Sequence, residues 1–356
     1  MNPRVSIIIL NWNGWEDTIE CLNSLNQINY PNYNIILVDN NSIDESVDKL
    51  EEYLSYKPYF TLNSHKIPGK QTKIIEYTKS KSNDKIGPVS ETNLVLIKND
   101  ENYGFAEGNN IGIKYAIKNF NPDYILLLNN DTTVEKNFLN ELMKVADSDK
   151  NIGSVQSLLL KPGGKIIDSM GQEPLIWSSM DIGMGSNYKN NLNKNVEIFG
   201  ACAASALYRS DTLKKIGLFD SDFFAVYEDV DLSWRIQLEG LKSILAVNSI
   251  VYHKRNISKR LSERKNFNLK SNNNFELYHL SKNMLIIAIR YHPTSSLLHP
   301  KYIYKLVLSL VACLMISIKL KETKNTLKVL LKNLRARKEV KRNPLLNNLQ
   351  ECWIKN

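Results

Sequence analysis

One short stretch, Tyr124–Leu128 with the three residues after it, constrains the fold of this chain more than any other. Five apolar or aromatic residues run directly into Asn129, Asn130 and Asp131. A continuous apolar run of this length is typical of a strand buried on both faces of a parallel sheet. Ligands of such sheets bind at the carboxyl ends of the strands, where a carboxylate can hold a hard divalent cation. The stretch therefore predicts either a cation site at Asp131 or a polar turn in which Asp131 caps a following helix.

Two earlier segments repeat this pattern of a buried strand that ends in polar residues. Val5–Leu10 ends at Asn11, and Ile35–Val38 ends at Asp39. Apolar positions at helical spacing follow each strand, so the order is strand, helix, strand, helix. This order predicts an α/β fold with a mostly parallel, doubly wound sheet flanked by helices. No G-x-G-x-x-G follows the first strand, so the dinucleotide-binding fingerprint is absent, whereas Asp39 suits the sugar or base of a nucleotide.

Three later segments carry further candidate residues. Residues 102–112 contain three glycines, include Asn109 and lead into a predicted helix, whose free N–H groups favour an anion. Residues 228–231 contain three carboxylates. They indicate either a site at which a cation or acceptor compensates the charge, or an acidic first helical turn stabilised by the helix dipole. His253 ends a predicted strand, either as a structural residue or as a metal ligand.

The net charge of +9 conceals a division of the chain into an acidic body and a basic tail. Residues 1–251 carry 24 Lys/Arg and 32 Asp/Glu, which gives a net charge of −8. Residues 252–356 carry 22 Lys/Arg and 5 Asp/Glu, which gives +17. The tail is therefore expected to meet an anionic partner. Its basic residues come with few aromatic ones, which favours a phosphate-bearing surface over nucleic acid.

Cysteine usage and the N-terminus indicate the compartment. Cys21, Cys202, Cys313 and Cys352 show no paired spacing, which argues against a disulfide framework or a zinc site and fits a reducing compartment. The apolar run at Val5–Leu10 is too short for the core of a signal peptide. We expect a cytoplasmic protein.

Two segments fall outside the alternation of strands and helices. Residues 57–92 hold seven lysines and are predicted to form an inserted surface loop. Residues 302–320 are largely apolar, but their uncharged core, Leu306–Ile318, has 13 residues, fewer than the ~20 that span a bilayer. Residues 319–342 then carry ten Lys/Arg against two Glu. The two stretches predict helices that either lie on an anionic membrane surface or pack on the body with a solvated charged face.

Seven segments, in this order, resemble glycosyltransferase family 2, the inverting enzymes of GT-A fold, and within it the rhamnosyltransferase-like branch. They cover roughly residues 4–255 and are Val5–Gly14, Val38–Asp44, Asn102–Gly112, Leu128–Asp131, Gly200–Arg209, Tyr227–Arg235 and Val251–His253. Tyr278–Asn283 resembles a shorter aromatic and basic motif that follows the catalytic domain in this branch. The resemblance implies a GT-A catalytic domain at 1–275, which carries the insertion 57–92, and a helical, basic C-terminal extension at 276–356.

The resemblance also implies roles for individual residues. Asp229, preceded by Glu228, matches the general base of the family's Glu-Asp motif. Asp131 matches the metal-binding last acid of its D-x-D element, and Asn129 stands in place of the first acid. With His253 as a further ligand, Asp131 would hold Mg²⁺ or Mn²⁺. Nucleotide-sugar binding is expected at six positions: Asn11, Asp39, Asn41, Asn109, Asn129 and Asn130.

The implied function is transfer of a sugar, with inversion, from dTDP-rhamnose or a UDP-sugar to a hydroxyl of a glycan or lipid-linked acceptor. The product would belong to a cell-surface polysaccharide or a glycoprotein glycan, made at the cytoplasmic face of the membrane. Two alternatives are an inactive family member that serves as a binding subunit, and a nucleotidyltransferase. The presence of both Asp131 and Asp229 disfavours the first. The lack of a Gly-rich N-terminal loop with a basic residue disfavours the second.

Overall fold

The structure is a computed structural model that describes residues 2–56, 72–77, 94–175, 179–189, 192–255, 274–292 and 300–353. Most of the lysine-rich segment 57–92 lies outside these residues, except for a strand at 72–77. The described strands are β1 (Val5–Asn11), β2 (Tyr33–Asp39), β3 (Thr72–Tyr77), β4 (Leu94–Asn99), β5 (Tyr124–Leu128), β6 (Thr132–Val134), β7 (Ile152–Leu160), β8 (Ile167–Ser169), β9 (Gln172–Pro174), β10 (Ser179–Asp181), β11 (Val196–Ile198), β12 (Ser205–Arg209) and β13 (Lys242–His253).

Ten α-helices are described alongside these strands. They are α1 (Trp15–Leu25), α2 (Ser46–Tyr56), α3 (Gly104–Phe120), α4 (Phe138–Ala146), α5 (Ser210–Ile216), α6 (Glu228–Leu238), α7 (Asn274–Tyr291), α8 (Pro300–Lys319), α9 (Thr323–Val340) and α10 (Leu345–Trp353). The fourth of these helices, α4, has 9 residues, from Phe138 to Ala146. The polar residues on either side of it form turns.

Eleven of the described strands form one mixed sheet in the order β11-β13-β7-β12-β5-β1-β2-β4-β3, with β6 beside β13 and β8 beside β7. The strands β5, β1, β2, β4 and β3 are parallel to one another, and β7 is parallel to β13. β12 lies antiparallel between β5 and β7. Strands β9 and β10 form a separate two-stranded sheet. The prediction of a largely parallel α/β sheet is thus confirmed.

Both faces of the central strands are buried, because helices cover each side of the sheet. Ile7 and Ile9 of β1 belong to an apolar cluster with α1, α2 and α4, whereas Ile8 belongs to a cluster with α3, α5 and α6. The same alternation holds in β2 and β5. A strand packed on two sides needs apolar residues at every position, which explains the continuous run at Tyr124–Leu128.

Helix α6 lies between the sheet and the C-terminal helices, and it is apolar on two faces. Leu232 and Ile236 belong to the cluster on the sheet, whereas Val230 and Trp234 pack among the C-terminal helices. The Trp234 ring stacks on Tyr291 of α7, with centroids 5.0 Å apart and planes 6° from parallel. Helices α8 and α9 both pack against α7, and α10 packs against α6. Among the described residues no helix is long and apolar enough to span a bilayer.

Candidate active site

Three parallel strands end side by side at one edge of the sheet, and their polar ends form the first part of the site. The register of β1 and β2 sets Asn11 opposite Asp39, and the Asn11 Nδ2 donates to Asp39 Oδ1 at 2.7 Å. Ser42 donates to the same carboxylate through its backbone N–H at 3.0 Å and its hydroxyl at 2.6 Å. Asn41, between them, is exposed and has a left-handed backbone, with φ of 58°. Asp39 is therefore held in one orientation at the strand end.

Asn130 joins the end of β5 to the end of β1. Its Nδ2 donates to the Thr18 hydroxyl at 3.0 Å and the Gly14 carbonyl at 3.2 Å, and it lies 3.4 Å from Asn11 Oδ1. Thr18 in turn donates to Asn11 Oδ1 at 2.8 Å. The amide of Asn130 is thus used within the protein, where it fixes the turn that carries Asp131.

A chain of charged side chains leads away from Asp131. His253 Nε2 lies 3.2 Å from Asp131 Oδ1, and its Nδ1 lies 2.8 Å from Asp168 Oδ2. Arg255 then donates to Asp168 at 2.6 Å and to Asp181 at 2.5 Å. Burial lowers the pKa of His253, but the hydrogen bonds to Asp131 and Asp168 outweigh burial and raise that pKa to about 9. The imidazole is therefore protonated at neutral pH while no cation competes for Nε2.

The third part of the site is the start of α6, where the two adjacent acids lie. Asp229 is partly exposed, and its carboxylate accepts from the Ala203 N–H at 3.1 Å and the Val230 N–H at 2.9 Å. Glu228 is buried, and its Oε2 has no hydrogen-bond partner among the described residues. Burial raises the pKa of Asp229, and burial together with the adjacent Asp229 raises the pKa of Glu228 well above its usual range. A carboxylate with a raised pKa is a stronger base at neutral pH.

Of the remaining predicted site residues, Asn109 lies apart from these contacts and Asn129 lies beside His253. Asn109 is buried in α3, and its amide donates to the Phe105 carbonyl of the same helix at 2.9 Å. Asn129 Nδ2 lies 3.4 Å from His253 Nε2. No three His, Cys, Asp or Glu side chains of the described residues form a ready-made metal site. Asp131 and His253 are thus two neighbouring candidate ligands.

Sequence reasoning missed Asp168, Arg255 and Asp181, which complete the charged chain beyond His253. Asp168 and Asp181 lie in the segment 161–199, whose irregular composition gave no period from which to place them. Arg255 gave a weak signal, because it follows His253 by two residues. The bond between His253 and Asp168 joins β13 to β8, and the two residues are 85 positions apart in the sequence.

A sequence profile of glycosyl transferase family 2 matches residues 6–72 and 76–217, which is more than half of the chain. The chain belongs to glycosyl transferase family 2. The matched residues include Asn11, Asp39 and Asp131 and end before α6.

Two curated relatives of this family 2 member share modest identity with it. The low-salt glycan biosynthesis hexosyltransferase Agl10 of Haloferax volcanii is 24% identical over 153 residues, which cover 43% of this chain and 49% of that protein. The rhamnosyltransferase WbbL of Escherichia coli K12 is 24% identical over 209 residues, which cover 56% of this chain and 78% of that protein. The match thus spans about half the length of the Haloferax relative.

Solved structures support the fold. The mannosyltransferase PcManGT from Pyrobaculum calidifontis, in complex with GDP-Man and Mn²⁺, superposes with a TM-score of 0.51 at 14% identity, over 99% of this chain and 88% of that one. GalNAc-T7 with UDP, GalNAc and Mn²⁺ superposes with a TM-score of 0.53 at 15% identity, over 81% of this chain and 48% of that one. The predicted GT-A fold is therefore confirmed.

Proposed function

We propose that this family 2 glycosyltransferase moves a sugar, with inversion, from a nucleotide-sugar to a hydroxyl of a glycan or lipid-linked saccharide. The observation that carries the proposal is the setting of Asp229. Two backbone N–H groups fix its carboxylate, burial raises its pKa, and it is still partly exposed. A carboxylate that is oriented, basic and accessible can take a proton from an acceptor hydroxyl.

The proposed donor site is the edge formed by Asn11, Asp39 and Asn130. Asp39 would bind the ribose or base, since a fixed carboxylate at the end of the second strand accepts hydrogen bonds from either. The donor is proposed to be dTDP-rhamnose or a UDP-sugar. The names of the Escherichia coli relative, a rhamnosyltransferase, and of GalNAc-T7, which was solved with UDP, support these two choices.

Asp131 and His253 are the proposed ligands of Mg²⁺ or Mn²⁺. A carboxylate and an imidazole nitrogen 3.2 Å apart at a strand end suit such an ion, which also takes oxygens from substrate phosphates. PcManGT and GalNAc-T7, which were both solved with Mn²⁺, support a divalent ion of this class. When bound, the ion would neutralise charge on the diphosphate leaving group. Asn129, in place of a second acid, leaves the site with one carboxylate fewer.

In the proposed reaction the acceptor oxygen attacks the anomeric carbon from the face opposite the nucleotide, and its proton passes to Asp229. The bond from the anomeric carbon to the diphosphate oxygen breaks as the new glycosidic bond forms. A single displacement inverts the anomeric centre and needs no nucleophile from the enzyme. General base assistance of this kind is worth roughly 10²–10⁴-fold in rate.

The test is Asp229→Asn, compared with Asp211→Asn on the exposed start of α5 as the matched control. We expect transfer by Asp229→Asn to fall by at least 10²-fold, while its donor affinity, measured by calorimetry across UDP-, dTDP- and GDP-sugars, stays within twofold of wild type. Transfer at the wild-type rate would refute the role of Asp229. Release of pyrophosphate from a nucleoside triphosphate supplied with a sugar 1-phosphate, without sugar transfer from any nucleotide-sugar, would indicate a nucleotidyltransferase.

We further propose that the protein binds an anionic membrane surface through α8 and α9. Helix α8 packs Cys313 and Ile316 into the core of the C-terminal helices. Its opposite face carries an exposed apolar stripe at helical spacing: Tyr304, Val307, Leu308, Val311, Met315 and Ile318. Helix α9 continues with exposed Leu327, Leu331 and Leu334 beside exposed Lys324, Lys328 and Arg335. An apolar stripe edged by basic residues suits the lipid interface, where each basic residue adds roughly 1 kcal/mol near anionic lipid.

Flotation of the full chain with vesicles tests this surface. We expect binding to vesicles that contain anionic lipid, reduced binding at high salt, and no binding to neutral vesicles. The double variant Val311→Asp with Met315→Asp should lose binding, whereas Val196→Asp, at an exposed valine of β11, should keep it. Equal flotation of the two variants would refute the proposal that this face of α8 and α9 binds the membrane. Concentration-dependent dimerisation that Val311→Asp abolishes, without any flotation of wild type, would assign this face to a second copy of the chain.

A further inference from the structure

The loop 223–227, directly before Glu228 and Asp229, has an unusual backbone. Phe224, Val226 and Tyr227 have φ of 60°, 71° and 69°. Left-handed conformations are rare for residues with a side chain and rarest for β-branched ones such as valine. Such conformations persist only when the surrounding structure enforces them.

One side chain of α7 holds this loop. Asn283 is fully buried, and its Nδ2 lies 2.8, 2.8 and 2.7 Å from the carbonyl oxygens of Phe223, Ala225 and Val226. The folded-back backbone turns three carbonyls of the loop toward one point. The two N–H groups of this one amide thus lie within hydrogen-bonding distance of three carbonyl oxygens of the loop.

Phe224 is fixed from both sides. Its ring stacks on His279 of α7, with centroids 4.7 Å apart, and its carbonyl accepts from the Ala106 N–H of α3 at 2.9 Å. A Cβ on Gly104 would come within 2.6 Å of Phe224, so the start of α3 closes tightly against the loop. The loop is thus held between the start of α3 and two residues of α7, His279 and Asn283.

We propose that Asn283 is a positioning residue that holds loop 223–227 and, through it, sets the direction of the Glu228 and Asp229 carboxylates. This rests on the proposed role of Asp229 as the base. The first turn of α6 continues from the loop, so a loop that relaxes toward ordinary φ values moves the start of α6. Displacement of a catalytic group by about 1 Å can cost about 10²-fold in rate.

The test compares Asn283→Ala with Tyr278→Phe in the full-length chain. Tyr278→Phe is the matched control, because it removes one buried hydrogen bond of the same helix, from the tyrosine hydroxyl to Thr326 of α9. We expect Asn283→Ala to lower kcat by about 10²-fold, expressed per donor-binding site counted by calorimetry, with donor KM unchanged. Tyr278→Phe should stay within threefold of wild type. Counting the sites distinguishes misplaced carboxylates from partial unfolding. Partial unfolding lowers the number of donor-binding sites but leaves the kcat of each remaining site unchanged.

Hydrogen–deuterium exchange without substrate gives a second readout. Amides of 223–231 should exchange at least tenfold faster in Asn283→Ala than in Tyr278→Phe. If Asn283→Ala does not fold, Asn283→Ser, which keeps one donor, should show a smaller change in the same direction. Unchanged exchange, or a kcat per site equal to that of Tyr278→Phe, would overturn the proposal. If wild type transfers no sugar, the proposed function fails, and the exchange result still decides whether Asn283 holds the loop.

Discussion

His253 lies between two carboxylates, with Nε2 3.2 Å from Asp131 and Nδ1 2.8 Å from Asp168. Asp168 is fully buried, and Arg255 holds its other oxygen. Burial acts to raise the pKa of Asp168, but the contacts with His253 and Arg255 lower that pKa overall. A carboxylate that accepts from Nδ1 directs Nε2 toward a metal and raises its basicity. Asp168 therefore has the position of an orienting partner for His253 in its proposed role as a metal ligand.

The first prediction concerns this orienting role. Asp168→Asn should weaken Mn²⁺ binding, measured by calorimetry on the protein with a nucleoside diphosphate, by roughly 10–100-fold. Asp131→Ala should abolish that binding. Asp17→Asn, which removes a carboxylate bound to the neighbouring Lys254, is the control for a general loss of negative charge and should bind as wild type does. Mn²⁺ affinity that is the same in Asp168→Asn and Asp17→Asn would contradict the prediction.

At the scale of single residues, sequence reasoning found the acids at strand ends and missed their partners. Asp39 and Asp131 were predictable, because each follows an uninterrupted apolar strand and the carboxyl ends of parallel strands share one edge of the sheet. Asp168 and Asn283 were not, because each reaches its partner across long sequence separations that no local pattern encodes. Asn109 lies in the predicted Gly-rich segment, but its side chain bonds inside α3, and its donor contact stays a prediction.

At the scale of elements, a buried histidine whose ring makes no hydrogen bond to any described residue lies where α7 meets α9. His292, directly after α7, is buried, and neither ring nitrogen has a hydrogen-bond partner among the described residues. Its carbonyl accepts from Arg337 of α9 at 2.9 Å. Burial, with a smaller contribution from Arg337, lowers the pKa of His292 to about 3. The folded protein thus keeps this imidazole neutral at pH values where the unfolded chain protonates it.

The second prediction is that His292 makes the protein sensitive to acid. Because the folded pKa lies below the unfolded value of about 6.5, the stability contributed by a neutral His292 is complete above pH 6.5 and is lost as the pH falls. Relative to His292→Leu, wild type should therefore lose about 1.4 kcal/mol of unfolding free energy between pH 7.5 and 5.5. Urea unfolding at the two pH values measures the difference. Tyr278→Phe, which does not titrate here, should show no such pH dependence, and a pH-independent effect of His292→Leu would contradict the prediction.

The amphipathic pattern of the C-terminal segment was predictable, but its packing was not. The apolar run 302–320 and the basic run 319–342 correspond to α8 and α9. The sequence left open whether these helices pack on the body or meet a membrane. Cys313 and Ile316 pack among the C-terminal helices while Val311 and Met315 are exposed, so one helix presents an apolar stripe on each side. The composition of a helix is an average over all its residues, so it does not show which apolar face packs on the protein and which one is exposed.

At the scale of the whole molecule, charge and packing join the acidic body to the basic C-terminal helices. Asp231 of α6 is fully buried, and Arg290 of α7 donates to it at 2.5 Å, as does the Tyr291 hydroxyl at 2.7 Å. Arg235 holds the other carboxylate oxygen at 2.9 Å. Removing one partner of a buried ion pair leaves an unpaired charge and is strongly destabilising. The proposed division at residue 275 therefore cuts through a shared core, and the two parts are not expected to fold independently.

The third prediction follows from that shared core. Urea unfolding of the full chain should give a single transition, with coincident midpoints for far-UV circular dichroism and tryptophan fluorescence. Trp234→Ala should lower the unfolding free energy by about 3–5 kcal/mol, because its ring is fully buried between Phe199 and Tyr291 and links α6 to both parts. Trp12→Ala, at a side chain that is 50% exposed, should change it by less than about 0.5 kcal/mol. Two separated transitions, of which Trp234→Ala shifts only one, would instead establish 1–275 and 276–356 as independent units.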